Sequence, residues 1–378
     1  MYNKIVVASD SFKGSLTSLQ VADSVQKAVR QVCPSCNVVK VNVADGGEGT
    51  MEALQQTLGG TMEKISVSDP LGRKIEAGYV ILEDRRTAVI EMSAASGLPL
   101  LQPSERNPMK TSTYGTGEMI CDALNKGCRK FLVGIGGSAT NDAGMGVLAA
   151  LGFRFKDADG QVLPPVGASL QKVAMIETDA EHPALSETEF IVACDVKAPL
   201  YGPKGAAYVF APQKGADPLM VEELDAGLRH FAEVASKVCG KDSSTMQGAG
   251  AAGGLGYAFR QFLNARLERG VDMVLDAIGF DQIITGADLV ITGEGKVDSQ
   301  TLTGKTPFGV AQRAQRQGVP VVAIGGCVQI SPEEALAAGF DGVYQVTPAD
   351  MPLEEAMRLD VASKNVYDTT LIILNGYE

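Results

Sequence analysis

Residues 289–311 read LVITGEGKVDSQTLTGKTPFGVA. The stretch opens on a short apolar run, Leu289-Val290-Ile291, and crosses a polar loop rich in glycine. It then enters a helix start in which Thr306 is placed to cap and Pro307 to take the first helical position. Val310 and Ala314 lie four apart on one helical face, and Gly318 suits the helix end. Strand, glycine loop and helix in succession present backbone N–H groups and a positive helix end to an anion. Gly304-Lys305-Thr306 imitates the end of a P-loop, but that motif needs glycine at position 299, where the chain has Ser299. Glu294 and Asp298 in the same loop suit Mg2+, which takes one or two carboxylates together with phosphate oxygens. The competing arrangement is a loop salt-bridged through Lys296.

The same rhythm recurs outward from this stretch. Lys4 to Ala8 reads as a buried strand, and Thr17 with Gln20 forms a capping box before an amphipathic helix carrying Ala22, Val25, Val29 and Val32. Val38 to Val43 is a second strand, followed by a helix marked by Met51, Leu54 and Leu58. Beyond the opening stretch, Val319 to Ile324 and Gly342 to Val346 read as strands, and one last helix runs from about Pro352. Between Thr61 and Leu101 the pattern changes to short alternating runs parted by turns. The middle then carries strands at Lys130–Ile135 and Phe190–Ala193 and helices at Gly117–Asn125 and Leu219–Val238. The predicted fold is α/β, a doubly wound parallel-sheet domain with a second α/β domain inserted into it. Residues 1–70 and 285–378 would form the first and residues 71–284 the second, with an active site in the crevice between them.

At 378 residues, with 45% apolar and 21% charged side chains, the chain is long enough for two cores. A net charge of −12 disfavours nonspecific binding to nucleic acid or to anionic membranes. Seven cysteines in a chain of this length do not form a disulfide framework. Cys33-Pro34-Ser35-Cys36 lacks a second pair or a histidine partner, so it reads as two thiols in a loop. No apolar run reaches the ~20 residues of a membrane span, and a cytoplasmic protein, monomer or homodimer, is expected.

Candidate sites cluster where strands end in glycine. Asp10, Ser11, Lys13 and Ser15 follow the first strand, where a lysine among serines suits phosphate or carboxylate binding. Asp45, Gly46, Gly47 and Glu48 follow the second, with more glycine than a helix cap requires. Gly136, Gly137, Ser138, Thr140 and Asn141 follow Lys130–Ile135 in an anion-binding layout. Asp195, alone at the end of an apolar strand, is placed like a general base or a metal ligand. Gly248 to Gly253 is a literal G-x-G-x-x-G, but Ser243 to Gln247 before it makes a poor strand, so close helix packing explains it better than a dinucleotide. His182 and His230, the only histidines, lie outside these loops. Carboxylate and lysine chemistry remains, and phosphoryl transfer needs those parts.

Seven segments, in order, carry a resemblance across essentially the whole chain: SDSFKGSLTS at Ser9, ADGGEGT at Ala44, GIGGSATNDAGMG at Gly134, CDVKAPLYGPKGA at Cys194, FAPQKGA at Phe210, GAGAAGGLG at Gly248 and ITGEGKVDSQTLTGKTPFGVA at Ile291. Together they resemble the bacterial type-1 glycerate kinase family (glycerate 2-kinase). The resemblance implies ATP- and Mg2+-dependent transfer of the γ-phosphoryl group to D-glycerate, usually giving 2-phosphoglycerate. The chain departs from the family at Ala198, where asparagine is usual, and at Gly14, where an acid is common. From motif and chemistry, Lys13, Gly46 and Gly47 would hold the carboxylate or the transferred group, with Asp10, Ser11, Ser15 and Glu48 beside them. Asp195 would accept the hydroxyl proton, with Asp45 as rival; Glu294 and Asp298 would hold Mg2+, and Gly136 to Asn141 the ATP phosphates. Two alternatives stay open: a nicotinamide-dependent hydroxy-acid dehydrogenase and a non-catalytic sugar-acid-binding protein.

Overall fold

The computed structural model describes residues 2–47 and 49–376. The chain divides into two compact units, Met1–Asp45 with Val274–Glu378, and Gly46–Met273. Periodicity suggests boundaries at 70 and 285, whereas the division falls at 45 and 273. The difference at the first boundary has a plain cause. Strand Thr61–Ser68 pairs along its whole length with Lys74–Ile81 and so belongs to the second unit's sheet.

The first unit is built on five parallel strands in the order Gly342–Gln345, Val321–Val328, Leu289–Val297, Lys4–Ser9, Asn37–Lys40. Val6 faces Val290 and Ala8 faces Thr292 across the central pair. A parallel sheet covered on both faces wants continuous apolar strands, and Ile5 to Ala8 and Leu289 to Ile291 are fully buried. Helix Ser18–Val32 starts at the expected capping box on Thr17 and Gln20 and buries Val21, Val25 and Val29. Those side chains share a core with Val366, Ile373 and Leu374 of the last helix. That last segment is not one helix: it breaks into Leu353–Ala356 and Leu359–Gly376.

The second unit has a six-stranded sheet in the order Arg266–Glu268, Glu189–Ala193, Lys130–Gly134, Thr87–Glu91, Lys74–Ile81, Thr61–Ser68. The first four strands are parallel and the last two antiparallel. Phe131 and Phe190 stack at 4.9 Å between ring centroids at its centre. Helix Pro218–Cys239 is capped by Asp217, ends at Gly240 in the left-handed region, and turns Leu224, Leu228 and Phe231 into this core. All seven cysteines are free thiols, Cys33 and Cys36 forming the turn between helix Ser18–Val32 and strand Asn37–Lys40. Among the described residues no helix is long and apolar enough to cross a membrane.

Candidate functional site

In the first unit the polar loops sit where the two central strands end. Asp10 follows Lys4–Ser9, and its amide donates to the Gly293 carbonyl of the neighbouring strand at 2.8 Å. Its carboxylate accepts from the Ser11 N–H at 2.6 Å and the Thr306 hydroxyl at 3.3 Å. Burial pushes the Asp10 carboxyl up to about 6, with the charges of Asp45 and Glu294 adding to the effect. The loop beyond is a tight turn: Phe12 and Leu16 exchange backbone hydrogen bonds and are both buried. Gly14 sits at its tip with φ +79°. Lys13 and Ser11 are exposed on this turn, and the Ser15 hydroxyl is buried with no hydrogen-bond partner among the described residues.

Glu294 lies on the carboxyl half of Leu289–Val297, only 8% exposed. It accepts from the Thr301 hydroxyl at 2.5 Å and pairs with Lys305 at 3.3 Å. Burial raises its carboxyl, while Thr301 and Lys305 oppose the rise. Asp298 has its own counterion, Lys296, at 3.2 Å, and also accepts from the Gln300 N–H. Burial would raise its carboxyl, but Lys296 and the neighbouring N–H groups outweigh it and hold it below the usual range. Thr306 is not the helix cap that the sequence suggests. Lys305 occupies that position, Thr306 is the first residue of helix Thr306–Arg316, and its hydroxyl goes to Asp10. Thr301, Lys305 and Thr306 therefore belong to the site although only their motif-like setting singled them out. Asp45 ends the first stretch of this unit, and Glu48 lies outside the described residues. No three acids or histidines among the described residues converge closely enough to hold a metal by themselves.

In the second unit Gly46 is fixed by packing. At φ +85°, a Cβ there would lie 2.4 Å from the Gly270 backbone and 2.7 Å from Ala193. The following helix, Thr50–Leu58, has its Met51 N–H already taken by Glu91 at 2.9 Å. Asp195, exposed just past strand Glu189–Ala193, accepts from the Gly270 N–H at 3.2 Å. The loop after Lys130–Gly134 is held by Asp142, which is fully buried. It accepts from the Thr113 amide and hydroxyl, both at 2.8 Å, and from the amides of Gly144 and Gly146, both at 3.1 Å. Gly136 and Gly137 are exposed, whereas Ser138, Thr140 and Asn141 are buried. Ser138 bonds to the Thr140 hydroxyl at 3.0 Å. Lys214, which sequence reasoning passed over, donates to the Thr140 carbonyl at 2.7 Å.

Gly248 to Gly253 is a packing device. No strand precedes it. A Cβ on Gly250 would lie 2.2 Å from the Pro199 carbonyl oxygen, and one on Gly253, at φ +67°, 2.1 Å from that of Thr140. Gly253 lets helix Ala251–Phe262 close against the loop that follows Lys130–Gly134, and Gly250 lets its start close against the loop that follows Glu189–Ala193. His182 bonds Asn125, and His230 lies at 2.8 Å from the Val173 carbonyl.

Parallel α/β units with acids, lysines and glycine loops at their strand ends form the layout of enzymes acting on small anionic ligands. The chain matches the Glycerate kinase family over residues 5–376. It is 45% identical over 353 residues to the glycerate kinase of Bacillus subtilis, covering 93% of this chain and 92% of that protein. It is 42% identical over 374 residues to the glycerate 2-kinase of Escherichia coli K12, covering 98% of each. The crystal structure of a candidate glycerate kinase 2 from Salmonella typhimurium LT2 aligns with a TM-score of 0.90 at 42% identity, covering 100% of this chain and 98% of that one. The protein is a phosphotransferase with an alcohol group as acceptor. The chain belongs to the glycerate kinase family. The dehydrogenase and the non-catalytic binding protein are thereby set aside.

Proposed function

We propose that this protein transfers the γ-phosphoryl group of ATP to D-glycerate, forming 2-phosphoglycerate, with Mg2+ as the cation. The observation that carries this reading is the negative charge that Asp45 and Glu294 bring to bear on the buried Asp10 where the first unit's strands end. Burial and mutual repulsion there hold the Asp10 carboxyl far above its ordinary value, the condition a cation relieves. A donor set of one or two carboxylates completed by phosphate oxygens suits Mg2+ better than a metal bound by protein alone. Asp10 and Glu294 would hold it, and Asp298, already balanced by Lys296, adds less charge. When bound, the ion neutralises charge on the phosphates of the nucleotide.

The remaining roles follow from what each side chain offers. Lys13, exposed on the turn after the first strand, would meet the carboxylate of glycerate or the transferred group, with Ser11 and Ser15 as hydroxyl partners. Asp195, exposed past the end of its strand and accepting from the Gly270 N–H, would take the proton of the attacking hydroxyl. Gly136, Gly137 and Ser138 would hold the nucleotide phosphates. The direct test supplies ATP, D-glycerate and Mg2+ and follows the product by phosphorus NMR. ADP and 2-phosphoglycerate are expected together; 3-phosphoglycerate would overturn the regiochemistry, and no glycerate-dependent ADP release would overturn the reading.

Asp10 gives this reading a pH signature. Its folded carboxyl titrates near 6, above the ordinary 3.8, so between those values the folded protein keeps a proton that the unfolded chain has released. The associated stability is present in acid and lost as pH rises through about 6. Asp10→Asn should therefore melt higher than the parent at pH 7.5 without Mg2+, with the gap closing near pH 4, while turnover falls about tenfold or more. Thermal unfolding across pH, with and without Mg2+, checks the sign.

A further inference from the structure

We infer that Lys214 is the positioning cation of the loop Gly136–Asn141, holding Ser138 and Thr140 in place and supplying the positive charge that a nucleotide phosphate meets; this rests on the reading that the loop takes those phosphates. Lys214 ends the short turn Pro212–Lys214 and is 2% exposed. Its ammonium donates to the Thr140 carbonyl at 2.7 Å and to the Ser138 hydroxyl at 3.4 Å. Both partners are neutral, and among the described residues no carboxylate lies within ion-pair distance of it. A buried cation with no carboxylate in ion-pair contact is costly, and such perturbed groups cluster at sites where a ligand brings the opposite charge. Burial pushes this ammonium down to about 7, with Asp142 pulling the other way.

Two further observations at the same loop point to a ligand. Gly136 is exposed, has no atom within 4 Å of where a Cβ would stand, and is not in the left-handed region. Neither packing nor backbone geometry requires glycine there, so the bare surface serves an approach from outside. The Asn141 side chain is fully buried, yet neither its amide nitrogen nor its oxygen has a hydrogen-bond partner among the described residues. The loop is also preorganised. Leu98 donates to the Gly137 carbonyl at 2.8 Å, Ala139 donates to Ser96 at 3.0 Å, and the Thr111 hydroxyl holds the Ala139 carbonyl at 2.9 Å.

Lys214→Gln keeps a donor for Thr140 and removes the charge; Lys214→Met removes both. Calorimetric titration of the full chain with ADP and, separately, with adenosine reads the effect. ADP affinity should fall at least tenfold in both variants, and adenosine affinity should stay within twofold. In steady-state assays KM for ATP should rise while KM for D-glycerate holds. Gly136→Ala should fold as stably as the parent and also weaken ADP. A folded Lys214→Gln that binds ADP normally would reduce Lys214 to a structural peg and overturn the inference, as would failure of both Lys214 variants to fold. A parent protein that binds no ADP at all would instead overturn the nucleotide reading of the loop.

Discussion

Asp195→Asn is expected to lower kcat by ~10²-fold or more in a protein that still folds. The carboxylate accepts from the Gly270 N–H at 3.2 Å, and the Oδ1 of asparagine can accept the same bond. What asparagine cannot do is take a proton from an attacking hydroxyl. The loss should therefore appear in kcat rather than in the binding of either substrate. Asp45→Asn is the control, since Asp45 is the rival base. If the Asp195 variant turns over normally with its circular dichroism intact while Asp45→Asn is inactive, the proton acceptor is Asp45.

Glu294→Gln should raise the Mg2+ concentration needed for half-maximal rate by about tenfold or more and lower the maximal rate with it. Glutamine still accepts the Thr301 hydroxyl, so the local backbone should hold, but the pairing with Lys305 is lost and with it one negative charge. EDTA should abolish turnover in the parent, and Mg2+ should restore it. A variant with parental Mg2+ dependence would remove Glu294 from the cation's ligands. Asp298→Asn is expected to have the smaller effect, because Lys296 already neutralises that carboxylate.

These roles were legible in the sequence only where chemistry and local pattern coincide. Lys4 to Ala8 and Leu289 to Ile291 announce buried parallel strands because both faces of such a strand need apolar side chains. The capping box of Thr17 and Gln20 is a contact within four residues and forms as read. Thr306 shows where local reasoning stops. It has the right type and place for a helix cap, yet its hydroxyl bonds Asp10, 296 residues away in the chain. Thr61 to Ser68 fails for a similar reason: alternation identifies a strand, but only pairing with Lys74–Ile81 decides which unit it joins. Lys214 carried no signal of burial, since an isolated lysine between Gln213 and Gly215 is ordinarily a solvated side chain. The acids at strand ends were visible as candidates, but their interaction was not, because Asp10 feels Asp45 and Glu294 only in the folded chain.

The central pair of the first sheet joins Val6 to Val290, and the Thr292 hydroxyl bonds the Ala8 carbonyl across a separation of 284 residues. During synthesis the amino-terminal strand therefore emerges long before its neighbour Leu289–Val297 exists. Residues 46–273 carry all their own sheet partners and can fold while the first strand, paired only with Asn37–Lys40, waits with its other edge open. A chain halted once residue 273 has left the ribosome would hold one finished unit and a two-stranded fragment exposed to wrong partners. Premature termination there would leave the first unit with only Lys4–Ser9 and Asn37–Lys40 of its five strands. Rejoining the chain so that residue 378 leads into residue 1, with new ends between 273 and 274, would let that unit be made in one uninterrupted run.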